Sequence, residues 1–215
     1  MPERRLIPPR IRRSGFRDAR LIIVAAEGMH TEKRYFEDLA ILYANPRVHV
    51  QVLDRLDTAS DPQHVMELLD EFRKIFPFKK DFDELWLVID VDRWKERNLS
   101  KVATLCSQKS YAMAVSNPCF EVWLLLHLKI LSDYDEETLN EFKENQKTGD
   151  RTRLEIELVN LLGSYNKRDP DTTQLLPHIN QAIAEARRLD THPEHRWPND
   201  LGTRVYRLAE EIIAK

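Results

Sequence analysis

Three carboxylates mark the place where this sequence could do chemistry. Asp90 and Asp92 stand one residue apart in "LWLVIDVDRW" (85–94), and Glu27 closes the apolar run "ARLIIVAAEG" (19–28). Like charges side by side repel, so a salt bridge or a divalent cation must offset them. Asp90 and Asp92 fall on the same side of an extended backbone. Mg2+ suits such a set, because it is a hard cation that takes carboxylate oxygens and keeps several waters, with Mn2+ as an alternative. Glu27 could bind the metal or act as a general acid or base.

Those acids need elements to position them. "ARLIIVAAEG" and "ELWLVID" (84–90) are continuous apolar runs, the pattern of strands buried on both faces. "VHVQVLD" (48–54) alternates as a second strand, and "YAMAVS" (111–116) reads as a fourth. Between them lie helical patterns: "HTEKRYFEDLAILYA" with Thr31 as its cap, "DPQHVMELLDEFRKIF" (61–76) capped by Asp61, and "NLSKVATLCSQ". "NPCFEVWLLLHLKIL" (117–131) predicts an apolar helix with Pro118 in its first turn. The order β-α-β-α-β-α-β-α predicts an α/β fold, a Rossmann-like, mostly parallel sheet flanked by helices. In such sheets ligands sit outside the carboxyl ends of the strands, where Glu27, Asp90, Asp92 and the "SNP" turn all emerge.

After residue 132 only helices are expected: "ETLNEFKENQ", "RTRLEIELVNLLGSY", "TTQLLPHINQAIAEARRL" and "LGTRVYRLAEEIIA", with Pro177 delaying or kinking the third. The division is thus a basic tail (1–18), an α/β core (19–131) and a helical C-terminal extension packed on that core (132–215). The first 20 residues hold seven arginines against Glu3 and Asp18, a balance of +5 in a chain whose net charge is −3. Such a tail can neutralise nucleic-acid phosphates, or be a solvated terminus. With 42% hydrophobic and 32% charged residues, the chain is globular and not disordered. No apolar run reaches about 18 residues, so no membrane span is expected. Cys106 and Cys119 fit no zinc or disulfide pattern, and the basic first segment has no apolar stretch of the signal-peptide kind; the expectation is a cytoplasmic protein.

Further candidates surround the acids. Glu121, one turn into the helix after "SNP", can reach the same crevice as a metal ligand or simply favour the helix N-terminus. Gly28 permits close backbone approach, and His30 offers an acid/base or phosphate contact or sits in a surface loop. Asn117 could touch a phosphate or cap its helix. Arg151, Arg153, Lys167 and Arg168 could bind phosphate or line a solvated helix face. Glu32 favours the first helical turn, and His127 reads as a packed residue among leucines.

A Glu on the turn after the first strand, followed by DxD after a later strand, resembles the Toprim domain of topoisomerases, bacterial primases and old-family nucleases. More narrowly, "EGMHTEKRYFEDL", "LWLVIDVDRW" and "SNPCFEVWLLLHL", with the closing "GTRVYRLAEEI", resemble the RloB family, small Toprim-like proteins associated with bacterial restriction and phage-defence loci. That resemblance implies a Mg2+-dependent nuclease acting on DNA or RNA, with Glu27, Asp90 and Asp92 as its acidic set and Glu32 in a supporting role. RloB-like proteins often occur beside an ATPase gene, and this chain has no GxxxxGK[ST] of its own. The alternative is therefore a non-catalytic nucleic-acid- or nucleotide-binding subunit of a defence ATPase complex. A homo-oligomer is left open.

Overall fold

A computed structural model of the chain describes residues 19–54, 62–92 and 96–214. The basic tail (1–18), the Asp61 cap and Trp94 lie outside the described residues. Four strands, β1 (Arg20–Ala26), β2 (Val48–Val52), β3 (Glu84–Asp90) and β4 (Ala112–Asn117), pair in parallel. They alternate with α1 (Thr31–Tyr43), α2 (Pro62–Ile75) and α3 (Glu96–Lys109), and α4 (Glu121–Leu128) follows β4. The strand order is β2-β1-β3-β4-β7, closed at one edge by a two-residue strand, β7 (Gly202–Thr203), which runs antiparallel to β4. The α/β sequence pattern is what the structure shows.

Strand alternation decides the two cores. Leu21, Ile23 and Ala25 of β1 and Leu85, Leu87 and Ile89 of β3 face α2 and α3, against Val65, Leu69, Leu99 and Val102. The intervening residues Ile22, Val24, Ala26, Trp86 and Val88 face Tyr35, Phe36 and Leu39 of α1 and the apolar α4. Both faces of β1 and β3 are therefore dry, which explains why these strands read as unbroken apolar runs.

The remainder of the chain adds α5 (Glu136–Glu144), the short hairpin β5 (Lys147–Thr148) and β6 (Arg151–Thr152), α6 (Arg153–Leu162), α7 (Ile179–Leu189) and α8 (Val205–Ile213). Leu154, Leu158, Ile179, Ala182, Val205, Leu208 and Ile212 join the same core as α1 and α4. Pro177 lies in a 3-10 turn (Leu176–His178) and α7 begins only after it. Among the described residues no helix is long and apolar enough to cross a membrane.

Three local expectations change. Strands do occur after residue 132, but each is only two residues long, too short to leave a periodic signal. Thr31 does not cap α1; it is the first helical residue, and its hydroxyl donates to the Lys167 carbonyl at 2.5 Å. The helix after β4 starts at Glu121, not at Asn117, and ends at Leu128. Segment 118–120 is a loop entered through a cis Asn117–Pro118 bond, and the Pro118 carbonyl accepts from the amides of Val91 and Asp92 at 3.1 and 3.0 Å. That carbonyl is thus taken by the β3 end and is lost to a helical ladder.

Candidate acidic active site

The chain leaves β1 for β2 under α1 on one sheet face, and returns through α2 on the opposite face to β3, on the other side of β1. The carboxyl ends of β1 and β3 therefore flank a switch point, the position where open α/β sheets form a crevice. In the β1–β3 register Ala26 lies opposite Val88, and the Glu27 amide donates to the Val88 carbonyl at 2.9 Å. Glu27 thus emerges beside Asp90, whose amide donates to Glu27 Oε2 at 3.3 Å.

Two more carboxylates arrive from helix starts. Glu32, in the first turn of α1, accepts from the Gly28 amide at 3.1 Å. A Cβ on residue 28 would lie 1.8 Å from Glu32 Oε2, so this closeness requires glycine. Glu121 opens α4 and meets the Lys167 ammonium at 2.7 Å and the Tyr165 hydroxyl, which donates at 3.2 Å. Glu27, Glu32, Asp90 and Glu121 are 2%, 5%, 7% and 1% exposed, so all four are withdrawn from water. Asp92 lies past the end of β3, where strand alternation no longer governs its direction, and it is exposed.

Burial and mutual repulsion set the protonation of this group. Asp90 is held well above the ordinary carboxylate range, first by burial and then by Glu32, Glu27, Glu121 and Asp92. Glu32 is raised to about 7, mainly by burial, with Glu121 and Glu27 adding to it and the backbone hydrogen bond and Lys167 opposing. For Glu121, burial also pushes upward, but the Lys167 ammonium, with Cys119 and the backbone, outweighs it and the net direction is down. Burial disfavours the Lys167 ammonium, yet Glu121 wins there too and keeps it above the usual lysine range.

The acids are electrostatic neighbours without being drawn to one point. Among the described residues, the group of three potential metal-binding side chains whose ligand atoms all lie within 4.8 Å of one another is His192, Glu194 and His195, and not a trio of these carboxylates. The donor set nonetheless fits a hard divalent cation. It consists of carboxylate oxygens, and Glu121 Oε2 is buried without a hydrogen-bond partner.

The other candidates divide. Gly28 and His30 line a cleft of about 300 Å3 whose charged residues are of both signs, Lys33, Arg34 and Arg168 with Glu37, Asp54 and Asp169. Lys33 pairs with Asp54 and Arg34 with Asp38. Asn117 neither caps α4 nor points freely to a ligand; its amide donates to the Pro198 carbonyl at 3.0 Å. Arg153 is built into the packing of α5 and α6 through Glu141, Glu157 and the Phe142 ring. Arg151 donates to the Tyr165 carbonyl at 3.0 Å and so supports the tyrosine that meets Glu121. His127, packed between the Tyr35 hydroxyl and the Trp123 carbonyl, is lowered to about 4 by burial and stays neutral.

Sequence reasoning underrated Glu32 and Lys167. The spacing of Glu32 from Glu27 carried a usable signal, because a helix starting right after β1 returns its first turn to the strand end. Lys167 had none, since it sits on a loop after α6, far along the chain from every motif.

Fold and site together define a Rossmann-like α/β protein with an acidic crevice at its strand switch point. The profile of the RloB-like protein family matches residues 22–212, a span that contains all five acids and Lys167. The chain belongs to the RloB-like family. No curated protein and no solved structure matches it.

Proposed function

We propose that the chain is a Mg2+-dependent, Toprim-like nuclease that hydrolyses phosphodiester bonds of DNA or RNA in bacterial anti-phage defence. The observation that carries this reading is the convergence of four buried carboxylates from three separate segments at the ends of adjacent strands β1 and β3. Glu27, Asp90 and Asp92, with Glu121 beside them, would hold Mg2+ or Mn2+. A cation there would supply charge stabilisation at a scissile phosphate and acidify a bound water.

The chain's own groups account for the remaining needs. Glu32, with its carboxyl at about 7, can take or release a proton near neutral pH. Lys167 holds Glu121 ionised and in place. In the cleft beside Gly28 and His30, Arg168 offers a donor to the phosphate backbone of a strand, while Lys33 and Arg34 are engaged by Asp54 and Asp38. The test is a cleavage screen over DNA, tRNA and other RNA with Mg2+ or Mn2+. The wild type cleaves one class, and Asp90→Asn loses at least about a hundredfold in rate. Undiminished cleavage by Asp90→Asn would overturn the assignment.

One observation favours a second reading. Glu121 is engaged by Lys167, and no three of the site's carboxylates gather their oxygens within 4.8 Å. A nucleic-acid- or nucleotide-binding subunit of a defence ATPase complex needs the charge and the cleft but not a closed metal site. Metal-dependent binding without turnover, even with an ATPase partner present, would select this reading.

A further inference from the structure

The loop between α7 and β7 carries a second cluster of chemistry-bearing side chains, unrelated to the acidic crevice. In "THPEHRWPND" (191–200), Glu194 Oε1 lies 3.1 Å from His192 Nδ1 and 3.6 Å from His195 Nε2. The two imidazoles stack with centroids 4.9 Å apart and 17° between planes. One ligand atom from each of the three residues lies within 4.8 Å of the other two. All three side chains are exposed, which leaves water access to any remaining coordination position.

What separates this cluster from a chance meeting on a surface loop is how its backbone is held. Arg204, almost fully buried, forms a two-pronged pair with Asp190, and its other donors go to the His192 and His195 carbonyls. The same guanidinium therefore ties down both histidines. The His195 amide closes onto the His192 carbonyl at 3.0 Å, and Arg196 fastens the next residue to Ser100 of α3 at 2.8 Å. The Asn199 amide lies 2.8 Å from His195 Nδ1. That contact fixes the orientation of the His195 ring, the kind of outer support metal-binding histidines use. The backbone that carries the two histidines is thus already ordered by the fold.

We propose that His192, Glu194 and His195 form a surface site for a transition-metal dication of the Zn2+ class, with a fourth position open to water. Two imidazoles and one carboxylate match the borderline character of Zn2+, whereas Mg2+ is better served by an all-oxygen set. The ion would fasten the loop whose Pro198 carbonyl receives Asn117 at the end of β4. The test is calorimetric titration of the chelator-stripped full-length chain with Zn2+ in the presence of excess Mg2+. One Zn2+ per chain is expected, undiminished in Asp90→Asn and weakened at least about tenfold in His192→Ala and in His195→Ala. A matching rise in Tm on Zn2+ addition is expected in the wild type and in Asp90→Asn, and not in the His192→Ala/His195→Ala double variant. No uptake by the wild type, or uptake that survives the His192→Ala/His195→Ala double variant, would overturn the proposal. So would uptake lost in Asp90→Asn instead, because the ion would then belong to the acidic crevice.

Discussion

Two buried charge clusters flank the end of β4, and they are built on opposite principles. On the β7 side, the single carboxylate of Asp190 meets the guanidinia of Arg204 and Arg207 and the Tyr206 hydroxyl, all within 3.0 Å. Burial alone would raise Asp190, but those partners hold its pKa below the ordinary carboxylate range. On the β1–β3 side, four buried carboxylates crowd together, and Asp90 and Glu32 are pushed upward. The first cluster contributes to stability at neutral pH, whereas the second opposes it unless a cation enters. A fold retains such opposition where function needs the charge.

The largest expected effect sits in the matched cluster. Arg204→Ala strands Asp190 and frees the carbonyls of His192 and His195, and should cost about 3–5 kcal/mol in urea unfolding. A loss below about 1 kcal/mol would mean that the pair is incidental. Asp90→Asn should go the other way. It removes an acid whose ionisation burial and the neighbouring carboxylates oppose, and should stabilise the chelator-treated protein by about 1–2 kcal/mol while lowering cleavage at least about a hundredfold. If thermal unfolding shows it destabilised, the repulsive account of the crevice is wrong.

Lys167→Met tests the internal cation of the crevice. It leaves Glu121 buried beside other acids, yet Lys167 is 46% exposed and solvent screens part of its interaction, so the expected cost is about 1–2 kcal/mol. The same variant should raise the Mg2+ dependence of Tm, since the ion then has more charge to offset.

In the pH profile the clusters have opposite signs. Asp190, with a depressed pKa, contributes stability that is present above its unfolded value and lost as pH falls through its folded one. Glu32, raised from 4.5 to about 7, is protonated when folded and ionised when unfolded between those values. The metal-free protein should therefore lose stability as pH rises from about 4.5 to 7 and then level off. Glu32→Gln should flatten that slope in denaturant titrations at successive pH values, and an unchanged slope would assign it to another group.

Much of the crevice is legible in the sequence. The β1 and β3 runs ended where the apolar pattern ended, and their carboxyl ends necessarily carried Glu27 and Asp90 to one sheet edge. The exposed position of Asp92 was not legible, because alternation applies only while the strand lasts and β3 stops at Asp90. Nor was the delayed start of α4. "NPCFE" has the composition of a capped helix start, but its Pro118 carbonyl is claimed by two amides from the β3 end. The two-residue strand β7 was invisible for a simpler reason. Period-two alternation cannot be expressed in two residues.

The sequence by itself determined the α/β order, the strands buried on both faces and the delivery of Glu27 and Asp90 to a common edge, because hydrophobic periodicity and chain direction are local properties. Only the tertiary structure decided which charges are compensated. Lys167 reaches Glu121 from a distant loop, Glu32 folds back over Gly28, and Arg204 ties two histidine carbonyls to Asp190. Compensation depends on distance and burial between remote segments, and these exist only once the chain has packed.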